Sequence, residues 1–297
     1  MSWLKDCIWN WFQLLALRIV KTGEVPKHVA FIMDGNRRYA NKQNLSKAEG
    51  YLKGFHKMIQ MVYLCRYLGI AEVTVFAFSI ENFKRSKEEI NVLTDLARQE
   101  FKGLLEKKEE LKDDGVCIRV IGNLSLLPAD VRKLFAEIMI ATRENNRIIL
   151  NVAAAYTSRD EITHAIKDVI QGVKDADILP EDINEDLITD CLYTYKSPKP
   201  NLLIRTSGET RLSDFLMWQI DHTCLYFSEV MWPEFSPWNL FCAILHYQRC
   251  YPDLQKNINN LKPITRNTRV SMFLDKLYNK RDMAIEKMSQ SILVDKA

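Results

Sequence analysis

The chain has 297 residues, with 41 Lys+Arg against 38 Asp+Glu, 47% hydrophobic residues and 10% aromatics. A net charge of +3 excludes a histone-like polycation or an acidic tail protein, and the length is ample for a real core in one large or two modest domains. Ten glycines are about half the usual share of roughly 7%, which excludes collagen-like and Gly-rich linker architecture.

At the N-terminus, Trp3, Trp9 and Trp11 fall within the first eleven residues, and Leu4, Ile8, Trp11, Leu15 and Ile19 recur at helical spacing. A signal peptide fits poorly, because Asp6 offsets Lys5 and no small-x-small cleavage site follows. Residues 1–25 therefore read as an amphipathic helix. It either lies in a membrane interface, where Trp is favoured, or packs on its own domain or a partner. No apolar run reaches the ~20 residues that span a bilayer.

After Pro26, the apolar run His28 to Met33 predicts a buried strand ending at Asp34. Ser46 and Glu49 form a capping box for a helix to Leu68, stopped by Gly69. Val73 to Phe78 is a second strand. Ser86 with Glu89 is a further capping box, opening one long helix through the charged run Glu106 to Asp114 and ending at Gly115. Val116 to Ile121 is a third strand, Pro128 to Asn145 a helix and Ile148 to Ala154 a fourth strand. Helices follow near 159–172 and 181–192, short strands at 202–204 and 224–227, and a helix from Pro237 to Arg249.

Strand–helix alternation of this kind predicts a single α/β domain, residues 26–255, with a mainly parallel central sheet flanked by helices. Residues 261–297 carry eight basic and four acidic residues. The segment 256–297 reads as a basic C-terminal extension, helical or partly disordered. The seven cysteines are scattered, odd in number and free of any Cys-x-x-Cys pair. This argues against a disulfide framework or a zinc site and for a reducing compartment.

Parallel sheets bind ligands beyond the carboxyl ends of their strands. After the first strand stands Asp34-Gly35-Asn36-Arg37-Arg38, after the second Ser79 to Arg85, and after the fifth Arg205 to Ser213. Five arginines (Arg37, Arg38, Arg85, Arg205 and Arg211) thus converge on one sheet edge around a lone carboxylate, Asp34. Arginine forks suit phosphate oxygens, and a single strand-end Asp suits a Mg²⁺ ion completed by phosphate and water. The competing reading is a set of surface arginines paired with Glu81, Glu209 and Asp214. The chain has neither Gly-x-x-x-x-Gly-Lys nor Gly-x-Gly-x-x-Gly, which disfavours nucleotide triphosphates and dinucleotides. Behind these loops, Phe31, Ile32, Phe76, Ala77, Phe78, Ile149, Leu150 and Val152 are apolar, as are Met58, Met61, Val62 and Cys65. They form either plain core or the wall of a tunnel.

The segments Met33 to Arg38, Ala77-Phe78-Ser79 with Glu81-Asn82 and Arg85, Ile204 to Glu209, Arg211-Leu212-Ser213 and Trp232 to Phe235 resemble the signature segments of cis-prenyltransferases. They occur in family order across about residues 26–250. The Met-Ser-Trp opening and the lengthened helix near Leu105–Lys112 are similar to the eukaryotic, dolichol-producing branch. The resemblance implies Mg²⁺-dependent elongation of farnesyl diphosphate with isopentenyl diphosphate, giving a long polyprenyl diphosphate for dolichol synthesis and protein glycosylation. It implies that Asp34 holds Mg²⁺ and that Asn36 stands near the proton-loss step. Gly35, Arg37, Arg38, Lys47 and Arg85 would bind the allylic diphosphate, and Arg205, Arg211 and Ser213 the isopentenyl diphosphate. It also implies a peripheral place on the cytoplasmic face of the endoplasmic reticulum membrane, with no nucleic acid as partner.

The chain departs from the bacterial pattern in four places. Tyr51 replaces a histidine, with His56 five residues later, and Lys47 replaces a phosphate-contacting arginine, keeping charge but losing the fork. Cys224 aligns with a metal-assisting carboxylate. The Arg-x-Gly motif that reaches across bacterial homodimers occurs nowhere in these 297 residues. The expectation is a partner resembling the Nogo-B receptor subunit that supplies the Arg-x-Gly tail, with the aromatic-rich stretch 224–251 serving either as its interface or as core. A catalytically impaired, regulatory subunit is the alternative, against which the intact Asp34, Arg38, Arg85, Arg205, Arg211 and Ser213 weigh. A lipid-diphosphate phosphatase would need Asp-x-Asp or Cys-x₅-Arg, and a trans-type synthase Asp-Asp-x-x-Asp; none is present.

Overall fold

The computed structural model describes residues 11–258 and 266–291. Six strands form one sheet in the order β3-β4-β2-β1-β5-β6, every neighbouring pair parallel. Here β1 is His28–Ile32, β2 Glu72–Ser79, β3 Val116–Ile121, β4 Ile148–Tyr156, β5 Leu202–Arg205 and β6 Cys224–Phe227. β1 is buried throughout, as expected of a strand covered on both faces. Because all strands point the same way, the loops that follow β1, β2, β4 and β5 share one edge of the sheet. The expected α/β sheet is present, and parallel throughout.

The helices are α1 (Trp11–Val20), α2 (Asn36–Lys42), α3 (Lys47–Leu68), α4 (Lys87–Glu106), α5 (Lys108–Asp114), α6 (Ala129–Ala141), α7 (Ser158–Lys174), α8 (Glu185–Cys191), α9 (Pro237–Ile258) and α10 (Thr268–Gln290). The capping box of α3 forms as its sequence predicts: Ser46 accepts from the Glu49 amide, Glu49 reaches back, and Gly69 ends the helix in the left-handed region.

Four helix expectations need correction: the helix expected to reach Asn145 stops at Ala141, the one expected to end at Arg249 runs on to Ile258, and two others differ as follows. The long helix from Ser86 to Gly115 is broken at Lys107 into α4 and α5. The charged run 106–110 buries no apolar side chain that would hold one axis. Beyond it Leu111 turns into the core, and Asp114 accepts hydrogen bonds from Arg66 (2.8 Å) and Tyr63 (3.0 Å) of α3. The helix expected at 181–192 starts only at Glu185, because Asn184 caps the Leu187 amide; Pro180–Asp182 forms a separate 3₁₀ turn.

On α1, Leu17 and Val20 are buried in the main core, and Gln248 of α9 donates to the Val20 carbonyl at 2.8 Å. The opposite face leaves Trp11, Phe12, Leu15 and Ile19 exposed. Packing on the domain and an apolar exposed stripe therefore coexist on one helix. Trp3 and Trp9 lie outside the described residues. α10 packs Phe273, Leu274 and Leu277 with Ala165 and Val169 of α7 and Leu187 of α8. Phe273 lies against Gly172, where a Cβ would stand 2.5 Å from the ring. Arg269 and Arg281 add ion pairs to Asp182 and Asp168, both at 2.8 Å.

α10 is thus held by a small core that it shares with α7 and α8. Phe273→Ala is expected to lower global stability by about 3 kcal/mol, read from urea denaturation. An unchanged midpoint would show that α10 only rests on the surface.

Candidate active site

The site is built on the ends of β1 and β5. Ile32 and Arg205 are register partners, so the residues just beyond each strand face one another. Thr206 clamps the Asp34 backbone: its hydroxyl accepts from the Asp34 amide at 3.0 Å and donates to the Asp34 carbonyl at 2.8 Å. The Asp34 carboxylate accepts from the Gly35 amide through Oδ1 (2.7 Å) and from Arg205 Nη2 through Oδ2 (2.8 Å). Gly35 has φ 101°, and a Cβ there would strike Ser207 Oγ at 2.7 Å, so both conformation and space demand glycine.

The Arg205 side chain is 3% exposed. It donates through Nη1 to Ser213 Oγ at 2.8 Å and to the Arg211 carbonyl, while its Nε has no partner. A buried guanidinium needs compensating charge and acceptors; Asp34 supplies the charge, and the free Nε leaves one donor to offer. Ser207 Oγ and Asn36 Oδ1 are likewise buried and unpartnered. Asn36 Nδ2 donates to the Met33 carbonyl at 3.1 Å. Its Oδ1 sits over Gly54, where a Cβ would be 2.2 Å away. Three unsatisfied buried polar atoms in one region indicate groups prepared for a ligand.

The loop after β5 is strained. Ser207, Ser213, Asp214 and Leu216 account for four of the seven described non-glycine residues with positive φ, and strain of this kind collects at functional sites. It is held open from behind. Arg159, just beyond β4, pairs with Asp214 at 2.8 Å, and buried Glu161 accepts from Gln219 at 2.8 Å. At the loop's tip Glu209 pairs with Arg38 (3.2 Å) and with Arg211. Arg38 also stands 3.7 Å from Asp34.

A second carboxylate organises the other side. Ser86 caps the Glu89 amide as expected, but the Glu89 side chain does not return to complete the box. It is buried and gathers Arg85 (2.8 Å), Tyr51 (2.7 Å), Lys47 (3.4 Å) and Arg37 (3.5 Å). Burial alone would raise its pKa, but the Tyr51 hydroxyl with Arg85, Arg37 and Lys47 outweighs that and holds it below the ordinary carboxylate range. Burial, then the bond to Glu89, pushes the Tyr51 hydroxyl up to about 12, and Arg85 donates to that hydroxyl at 3.1 Å. Tyr51 thus fills the expected histidine position with a neutral bridge.

Nine of the ten predicted residues, all but Lys47, line one cavity of about 730 Å³. Six arginines, Arg159 included, face four carboxylates there, a surplus of two positive charges suited to a diphosphate. Glu81, Glu209 and Asp214 are each paired with a base, as the competing reading expected, yet the surplus remains. Asp34 keeps a third of its side chain exposed to the cavity. One carboxylate completed by phosphate oxygens and water suits Mg²⁺. Cys224 takes no part: it begins β6 level with Leu202 and Val29, five residues and roughly 16 Å back from Asp34 along the strands.

Met33, Asn36, Tyr51, Phe76, Ala77 and Leu93 also wall an apolar chamber of about 150 Å³, into which Phe78, Val152 and Met58 project. A bulge in β2 around Ala77 re-aims this wall. Phe55 joins the chamber to another of about 110 Å³, lined by Val62, Leu150 and the end of α4. The tunnel reading therefore holds for these positions, whereas Phe31, Met61 and Cys65 are buried core. Arg159, Tyr51 and Glu89 went unassigned from sequence. Arg159 was findable by extending the strand-end rule to β4; Glu89 was hidden by its capping position.

Residues 32–255 match the family model described as putative undecaprenyl diphosphate synthase. The chain is 53% identical over 256 residues to the dehydrodolichyl diphosphate synthase complex subunit DHDDS of Homo sapiens, covering 86% of this chain and 77% of the human one. It is 43% identical over 238 residues to a tritrans,polycis-undecaprenyl-diphosphate synthase (geranylgeranyl-diphosphate specific) of Pyrococcus abyssi, covering 80% and 90% of the two chains. Among solved structures, lavandulyl diphosphate synthase from Lavandula x intermedia, in complex with dimethylallyl diphosphate, superposes with a TM-score of 0.72 at 30% identity. That match covers 75% of this chain and 95% of the other.

The Glu89 cluster yields a prediction with a definite sign. A carboxylate with a depressed pKa stabilises the fold above its ordinary pKa and loses that contribution as pH falls through the folded value. The stability gap between wild type and Glu89→Gln should be full at pH 7 and close as pH drops below the carboxylate range. At pH 7 the variant should also lose roughly 10-fold or more in kcat/KM, because Arg85 and Arg37 are no longer held. A gap independent of pH would contradict an ionised Glu89.

Proposed function

The chain belongs to the cis-prenyltransferases, the family of undecaprenyl diphosphate synthase, and from that membership we propose that it extends farnesyl diphosphate with successive isopentenyl diphosphate units. Its reaction class is cis-prenyl chain elongation. The proposed product is a long-chain dehydrodolichyl diphosphate, made for dolichol and protein glycosylation. One observation carries this reading: an arginine-lined cavity with room for diphosphates opens, through shared residues, onto an apolar chamber of about 150 Å³ that can receive hydrocarbon.

The tasks proposed for the residues are those the family resemblance implies, and the shared cavity supports them. Gly35, Asn36, Arg37, Arg38 and Arg85 surround the allylic diphosphate, and Lys47 contributes charge from behind Glu89. Arg205, Arg211 and Ser213 hold the isopentenyl diphosphate, with the Arg205 Nε as the unspent donor. When substrate binds, its phosphates take over Arg38 and Arg211 from Glu209. The allylic carbon–oxygen bond breaks, the isopentenyl double bond supplies the electrons for the new carbon–carbon bond, and a proton leaves. The arginines stabilise the negative charge growing on the departing diphosphate. Asp34 would hold the Mg²⁺ ion, which would supply further neutralisation of that leaving group. Asn36, whose free Oδ1 lies where the two cavities meet, orients the reacting end. The apolar walls exclude water from the cation-like fragment and draw the growing chain inward.

The partner proposed is a Nogo-B receptor-like subunit that supplies an Arg-x-Gly tail. Supporting it are the words "complex subunit" in the names of the human and mouse relatives, the lack of that motif in these 297 residues, and the apolar side chains exposed along β6 and α9. Leu225, Phe227, Trp238 and Leu245 are among them. The exposed stripe of α1 supports peripheral attachment to the cytoplasmic face of the endoplasmic reticulum membrane; among the described residues no helix is long and apolar enough to cross a bilayer.

Three outcomes test this. Incubated with labelled isopentenyl diphosphate, farnesyl diphosphate and Mg²⁺, the complex should elongate while the isolated chain should be weak; full activity alone would remove the partner from the reading. Asp34→Ala should abolish turnover, a loss of at least about 10³-fold, with unchanged circular dichroism. Trp11→Ala with Phe12→Ala should weaken sedimentation with liposomes and lower activity on bilayers more than in detergent; equal loss in both would mark a packing role.

A further inference from the structure

On the opposite side of the molecule from Asp34, three metal-ligating side chains meet. Cys224 opens β6, while His246 and Cys250 stand one turn apart on α9. The two Sγ atoms and a His246 ring nitrogen all lie within 4.8 Å of one another, and Cys250 Sγ is 3.8 Å from His246 Nε2. Among the described residues this is the only group of three such ligands. Both cysteines are free thiols; Cys224 is buried and the other two residues are half-buried. The His246 ring also leans on Tyr226 of the same strand, with centroids 5.5 Å apart, which limits its rotation.

We propose that Cys224, His246 and Cys250 form a Zn²⁺ site that ties the edge strand β6 to α9. In a tetrahedral site with Zn–S near 2.3 Å and Zn–N near 2.0 Å, the donor atoms stand ~3.5–3.8 Å apart. The present spacing therefore needs contraction of no more than about 1 Å at any pair. Two thiolates and a neutral imidazole cancel the charge of the ion, which suits a half-buried position, and a water molecule takes the fourth place. Binding through Nε2 leaves the proton on Nδ1, and the two thiol protons pass to solvent. Softness decides the metal: sulfur and imidazole donors select zinc over the Mg²⁺ that suits Asp34. The distance from the reaction assigns the site a structural duty. β6 has only four residues and a single neighbour in the sheet, so a clip to α9 holds the edge of the fold in place.

The full chain, reduced and freed of metal, is titrated anaerobically with Co²⁺, whose spectrum reports thiolate ligation in a tetrahedral field. One equivalent should bring sulfur-to-cobalt charge-transfer absorption with intense d–d bands, and Zn²⁺ should abolish both. Zn²⁺ should also raise the thermal midpoint. Cys250→Ser and His246→Gln, both at half-exposed positions where the fold tolerates change, should each weaken binding by more than about 10-fold. Cys242→Ser, removing the exposed thiol one turn earlier on α9, should leave the spectrum intact. Circular dichroism verifies the fold of each variant. Absence of charge-transfer bands at excess Co²⁺, or bands that survive Cys250→Ser, would overturn the site, as would a Cys224–Cys250 disulfide formed under reducing conditions.

Discussion

The buried pairing of Arg205 with Asp34 is the contact around which the rest of the site is arranged. It joins the ends of two neighbouring parallel strands, and its guanidinium is 3% exposed while its carboxylate faces the cavity. Removing either partner would strand a charge in a poorly solvated place, which is far more costly than losing a surface ion pair. Everything nearby serves that pair. Thr206 holds the Asp34 backbone, Gly35 tightens the turn, and Ser213 and the Arg211 carbonyl accept from Nη1 of the guanidinium. The strained backbone of residues 207–216 is the consequence, since the loop must fold back over a side chain from its own start.

Around that pair the molecule separates charge from hydrocarbon over a very short distance. Phe76, Ala77 and Tyr51 belong to the arginine-lined cavity and to the apolar chamber at once. A prenyl diphosphate has the same division, a multiply charged head on a hydrocarbon tail, and the two halves of the site mirror it. Glu89 and Glu209 play complementary parts. Glu89 is buried and keeps Arg85, Arg37 and Lys47 in place. Glu209 sits on the more exposed side and pairs with Arg38 and Arg211.

Much of this was legible from residues alone. Strand cores such as Val116–Ile121 and Cys224–Phe227, the Ser46 cap and the Gly69 stop rest on local rules of burial and hydrogen bonding, and they appear as read. The strand-end segments hold thirteen of the cavity's lining residues, because a parallel sheet brings loops distant in sequence to one edge. Arg159 follows β4, whose end lies outside the three strand ends read from sequence. The break at Lys107 and the role of Glu89 were not legible. A capping position looks the same whether its side chain returns to the helix or leaves for a neighbour 38 residues away.

The sequence by itself determined the parallel α/β fold, the arginine-rich strand ends, the lone Asp34 and the family. All of these depend on periodicity, on local chemistry or on residue order. Only the tertiary structure decided which apolar residues line a void and which fill the core, since both have the same hydrophobicity and spacing. It also decided which carboxylate serves which arginine, and that Cys224 stands beside His246 and Cys250, far from Asp34. Those outcomes depend on distances across the sheet, which no local pattern encodes.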